Sequence, residues 1–117
     1  MAPETVRKLK LDVEQVGPAV VVRVSGSAGM TEAENMRLKL EELVERKIPL
    51  IVLDLGEMDF ICSQVLGVMI SVHVSSRHHN GRLGLVNPQP AVQRLLEITR
   101  LTKLFEIYPT VEQALAP

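Results

Sequence analysis

Residues 49–76 read PLIVLDLGEMDFICSQVLGVMISVHVSS, and the way this stretch divides decides the fold. Pro49 to Leu55 is a short apolar run bounded by Pro49 and Gly56, which suits a central strand buried on both faces. From Ser63 the apolar segment is too long for a strand and stops at Asn80-Gly81, a favoured helix end. Ser63 is a favoured N-cap residue, so the spacing predicts a helix beginning there. His78 and His79 are expected in its last turn, favourably placed against the negative end of the helix dipole.

On the N-terminal side, VRKLKLDVEQV alternates apolar and polar residues at Val6 or Leu9, Leu11, Val13 and Val16, and Gly17-Pro18 turns the chain into AVVVRV. A hairpin is therefore expected to open the domain, with SGSAG breaking its second strand. Thr31 followed by Glu34 reads as a capping box that starts a helix, whose apolar face carries Ala33, Met36, Leu40, Leu43 and Val44. On the C-terminal side, RLGLV is a strand and NPQPAVQRLLEITRL a helix with Pro90 near its first turn. That helix places Val92, Leu95, Leu96 and Thr99 on one face, and LFEIY and TVEQALA supply a short strand and a last helix begun by Thr110. The predicted order is strand, strand, helix, strand, helix, strand, helix, strand, helix, an α/β class with a mixed sheet of about four to five strands and parallel crossovers.

The 117 residues fit one domain spanning 1–117. Thirteen Lys and Arg against fourteen Asp and Glu give a formal charge of −1 with the signs mixed, and aromatics make up only 3% of the chain. A direct nucleic-acid ligand is excluded by the lack of both a basic stripe and stacking residues. Membrane insertion is not expected, because the apolar run from Val65 to Val74 is interrupted by Gly67, Ser71 and His73 and falls far short of the roughly 20 residues of a spanning helix. A single cysteine, Cys62, and an N-terminus without an apolar core point to a reducing cytoplasmic setting.

Few residues offer chemistry. Ser63 and His73 would lie about 15 Å apart along one helix, which excludes a nucleophile and base pair. His78 and His79 are adjacent and point about 100° apart on a helix, so they cannot share one metal ion. Cys62 reads as a small buried apolar residue, although a thiol placed before a helix start can be reactive. SGSAGM has neither dinucleotide nor phosphate-loop spacing. No catalytic, metal or cofactor site is expected. Ser63 remains: as an N-cap its hydroxyl would contribute about 1 kcal/mol, and the same place tolerates a phosphate because free amides and the positive dipole end face it.

From Pro49 to Leu115 the sequence resembles the STAS domain, a family that includes bacterial anti-sigma-factor antagonists and the cytoplasmic tails of sulphate transporters. The run VQRLLEITRLTKLFEIYPTVEQAL, residues 92–115, is similar to the family's C-terminal pattern almost position by position. In the antagonist branch the strand leads to a loop of the type Asp-Ser-Ser/Thr-Gly-Leu, whose first serine is phosphorylated by an anti-sigma kinase. The resemblance puts Ser63 at the phosphoacceptor position and Leu66 at the following apolar contact. Cys62 stands for the aspartate, Gln64 for the second hydroxyl and Val65 for the glycine, while Ala28 replaces a frequent acidic residue and Arg100 a frequent helix-ending glycine. The resemblance thus implies a non-enzymatic module that binds an anti-sigma factor or serine kinase-type regulator through Cys62, Ser63, Gln64 and Val65, switched by phosphate on Ser63. The alternative is an adaptor that binds a transporter subunit or scaffold without phosphorylation. An enzyme using Cys62 or Ser63 as nucleophile is the third and weakest reading.

Overall fold

The computed structural model describes residues 10–27 and 30–116. Five strands, β1 (Lys10–Val16), β2 (Ala19–Ser27), β3 (Leu50–Phe60), β4 (Arg82–Val86) and β5 (Glu106–Tyr108), form one sheet in the order β1-β2-β3-β4-β5. The helices α1 (Met30–Glu45), α2 (Ser63–Arg77), α3 (Pro90–Ile98) and α4 (Val111–Leu115) alternate with the strands from β2 onward. β1 pairs antiparallel with β2 through a turn at Gly17, whose φ of 59° a glycine adopts without strain. The remaining pairs are parallel, as the alternation of strands and helices requires.

The period of two along the strands separates two cores. Val20, Val22 and Val24 of β2 and Ile51, Leu53 and Leu55 of β3 face α1, α2 and α3 and join one large apolar cluster. Val21, Val52 and Val86 face the other way and are covered by α4 through Ala114. β3 is thus buried on both sides, as its apolar run predicts. The predicted face of α1 is buried residue for residue, Ala33, Met36, Leu40, Leu43 and Val44 all lying in the cluster. α3 buries Val92 and Leu96, and Thr99 ends it by donating its hydroxyl to the Leu95 carbonyl at 2.8 Å. Thr110 caps α4, its Oγ1 accepting from the Gln113 amide at 3.1 Å.

Several boundaries differ from the sequence expectation. SGSAG does not end β2 at its first glycine: the strand runs to Ser27, because β3 extends to Phe60 and supplies the ladder partners. The pairing shifts register between Arg23 and Ser25 and again between Gly26 and Ser27, and Gly26 takes a φ of 94°. β3 pairs with β4 only as far as Asp54, so its last residues are held by β2 alone. At the point of divergence the Gly56 amide donates to Asp54 Oδ1 at 3.0 Å, and Gln89 Nε2 donates to the Gly56 carbonyl at 2.9 Å. α1 starts at Met30, and the Glu34 carboxylate turns to Arg37 instead of back toward the helix start. Val6, Leu9, Ala28 and the side chain of Thr31 lie outside the described residues.

Candidate functional site

Everything the sequence singled out around Ser63 sits where β3, having left β4, hands the chain to α2. Ile61 is buried in the large cluster and anchors the loop. Cys62 follows with φ −97° and ψ 170°, and its carbonyl accepts the first helical bond, from the Leu66 amide at 3.0 Å. Cys62 is therefore the N-cap and Ser63 the first helical residue. The expectation that Ser63 caps α2 is corrected by one position: its hydroxyl caps no backbone amide and reaches only Gln64 Oε1, at 3.5 Å. Cys62 offers no side-chain cap either, so the first turn presents amides with no side chain upon them. The thiol packs against the cluster but is only half-buried, so Cys62 is an apolar contact at the edge of the core and not the buried residue expected.

The four predicted contact residues do not act alike. Ser63 and Gln64 are exposed and Cys62 is half-exposed, whereas Val65 is fully buried. Val65 belongs to the inward stripe of α2 with Val68, Met69, Val72 and Ser76, so its side chain holds the helix on the sheet and cannot meet a partner. Leu66 is half-buried beside the cluster and keeps part of its surface outward.

The histidines are placed differently from expectation. α2 ends at Arg77, with His78 as C-cap and His79 in the exposed turn beyond. The turn closes because the Gly81 amide donates to the Ser76 carbonyl at 2.8 Å and Asn80 adopts φ 63°. A Cβ at Gly81 would come within 3.1 Å of that same carbonyl. His73 packs edge-on against Phe105, ring centroids 5.6 Å apart, ten residues along α2 from Ser63. Among the described residues no group of three or more His, Cys, Asp or Glu is arranged to hold a metal ion. No described helix is long and apolar enough to cross a membrane.

A feature the motif reading passes over is the groove between α1 and α2. About 350 Å³ in volume, it is lined by Ala33, Glu34 and Arg37 on one side and Gln64, Gly67, Val68 and Ser71 on the other. Beyond Ser71 it continues as a smaller hollow against Glu41, Val44 and Glu45. Small residues at Gly67, Ser71 and Ser75 keep the α2 wall low, and this spacing of four is visible in the sequence. On the α1 wall Arg37 is gripped from both sides. Its Nη1 donates to both Glu41 oxygens at 2.9 Å, while Nε and Nη2 donate to the two oxygens of Glu34. The guanidinium holds the Glu34 carboxyl below the usual carboxylate range, and the two carboxylates raise the Arg37 pKa in turn. Across the sheet Arg23 is likewise raised, first by its bond to Glu14 and then by Asp54.

A family model described as the STAS domain matches residues 10–114. The chain belongs to the STAS domain family. The anti-sigma F factor antagonist of Paenibacillus polymyxa is 28% identical over 108 residues, covering 92% of each chain. A putative anti-sigma factor antagonist of Bordetella bronchiseptica, BtrV, is also 28% identical over 108 residues, covering 92% of this chain and 93% of its own. Among solved structures, an anti-sigma factor antagonist from Mycobacterium paratuberculosis superimposes with a TM-score of 0.83 at 30% identity, covering 92% of this chain and 91% of that one. SpoIIAA in its unphosphorylated form gives 0.81 at 22% identity, a likeness of fold, over 90% of this chain and 92% of its own. This STAS domain thus shares its architecture and nearly its whole length with proteins named for antagonising another protein, a binding role and not a catalysed reaction. Its loop, however, carries Cys62, Gln64 and Val65 at three positions where the branch motif has other residues.

Proposed function

We propose that this chain is a single cytoplasmic STAS domain that regulates transcription by binding an anti-sigma, kinase-type partner, and that phosphate on Ser63 releases it. The observation that carries this reading is the placement of Ser63: exposed, in the first turn of α2, with a hydroxyl engaged only by its neighbour Gln64. A kinase approaching from solvent meets that oxygen without unfolding anything. In the transfer, Ser63 Oγ forms the new bond to the terminal phosphorus of a nucleoside triphosphate. The diphosphate leaves, and the hydroxyl proton passes to a base of the kinase. The product adds about two negative charges beside a surface of α2 that carries none. The relatives named as antagonists support the partner class.

A second reading, an adaptor that binds a transporter or scaffold subunit without modification, is favoured by one specific observation. Val65 fills the core where the branch motif places a glycine, so the first turn of α2 is stiffer than one with a glycine there and yields less when a kinase approaches Ser63. Intact-mass and phosphopeptide analysis of protein isolated from its host, with co-purifying proteins identified in the same sample, separates the two. Phosphate on Ser63 that rises as a kinase-type partner leaves is the expected result. Protein that stays unmodified under every condition, recovered with membrane-transport subunits, would replace the switch by the adaptor.

A further inference from the structure

We propose that the guanidinium of Arg37 receives the phosphate on Ser63, exchanging its bonds to Glu34 for phosphoryl oxygens and so carrying the modification into the groove between α1 and α2. This rests on the reading of Ser63 as a phosphoacceptor.

The placement follows from the residues between the two groups. Ser63 touches Gln64, and Gln64 and Arg37 line the same groove. One turn along α2 from Ser63 stands Gly67, which lines the groove shared with Arg37 and where a Cβ would meet nothing within 4 Å, so no α2 side chain fills the groove at that point. Arg37 is long enough to use it, and its own anchoring is divided in a way that suits exchange. Nη1 stays with Glu41, whereas Nε and Nη2 form the two-pronged edge now on Glu34. That edge matches a phosphate as well as a carboxylate.

Charge decides which acceptor wins. A phosphoserine carries about −1.5 to −2 at neutral pH and three strong acceptor oxygens, against a single charge on Glu34. The Glu34 pair is exposed on both sides, 38% and 53%, so water and salt already weaken it and little opposes its loss. The first turn of α2 contains no acidic residue to repel the phosphate, and its amides have no side-chain cap competing for them. Arg37 would then lean across Gly67 and close the mouth of the groove, while Glu34 would be released to solvent. A partner seated in that groove would lose both its space and the neutral wall it contacted.

The test uses full-length protein with phosphoserine encoded at position 63, so that no kinase is needed. The second ionisation of the phosphate is followed by phosphorus NMR in E34Q and in E34Q/R37Q. Comparing two variants that both lack the Glu34 charge isolates the arginine. The expected result is a phosphate pKa lower by about half a unit or more when Arg37 is present, together with a shift of the Arg37 Nε signal that tracks the same titration in the wild-type sequence. Equal pKa values in the two variants, with an Arg37 signal indifferent to the phosphate, would overturn the receiver and leave the switch standing. Host protein that never carries phosphate on Ser63 would overturn the switch, and the receiver with it.

Discussion

The helices α1 and α2 pack against the same face of the sheet, and their inner faces are built alike: Met36, Leu40 and Leu43 on one, Val65, Met69 and Val72 on the other, all in one cluster. Their outer faces are opposites. α1 is laced with ion pairs, Arg37 to Glu34 and Glu41 and Lys39 to Glu42. α2 shows solvent Ser63, Gly67, Ser71 and Val74, and Arg77 is its only charged residue. A helix that merely shields a core gains solubility from charge and loses nothing by it. An outer face kept free of charge over about three turns, from Ser63 to Val74, is better explained by contact, since charged residues are depleted at the centres of interfaces. Under the proposed binding role, the difference points to α2 and the groove beside it as the contact surface, not to α1's far side.

The comparison can be broken at its strongest point first. Leu40→Ala on α1 and Met69→Ala on α2 each leave a hole in the same cluster, and each should lower unfolding free energy by about 2–5 kcal/mol in urea titrations. If only one of them did so, the claim that the two inner faces are equivalent would fail. The outer faces are tested by Gly67. Gly67→Ala meets open space and gains helix propensity, so it should stabilise by about 0.5–1 kcal/mol. Gly67→Arg should be nearly as stable yet bind the co-purified partner at least tenfold more weakly, and undiminished binding by calorimetry would remove α2 from the interface.

Ser63→Ala sharpens the corrected cap. A lost N-cap would cost about 1 kcal/mol, but Ser63 is the first helical residue and caps nothing. A change within about 0.5 kcal/mol is expected, whereas Ser63→Glu should weaken partner binding at similar stability. The smallest effect is expected on α1. Because Arg37 holds the Glu34 carboxyl below its usual range, the pair's stabilising contribution is present at neutral pH and is lost as pH falls through the folded-state pKa, below the ordinary value of 4.5. Glu34→Gln should therefore reduce the acid dependence of unfolding slightly, and the difference should vanish at 1 M salt, where screening acts within about 3 Å.

Why some features were legible and others were not can be read from individual residues. The buried face of α1 follows from spacing alone, because a helix on a sheet has one apolar stripe and Ala33, Met36, Leu40, Leu43 and Val44 mark it. Val65 was legible by the same period, since it stands three and four residues before Val68 and Met69; only its position in the loop motif suggested a contact. Arg100 was not legible as a left-handed residue, although the family's glycine there pointed to one. It takes φ 63° after α3, where the chain enters the short helical turn Leu101–Lys103 that leads to β5, and its Cβ makes that conformation costlier than it would be for glycine.

By itself the sequence determined the α/β class, the order of elements, the central buried strand, the apolar faces of the helices and the cap at Thr110, all of which depend on residues near one another in the chain. Tertiary structure decided where elements stop and what lies beside Ser63. β2 runs through a glycine because β3 offers it partners, and α2 begins one residue after Cys62 because Ile61 is drawn into the core. Arg37 comes to the groove of Gln64 and Gly67 because two helices pack side by side on the sheet. Such contacts join residues some thirty positions apart, and no local propensity encodes them; they exist only once the shared core has chosen how the helices lie.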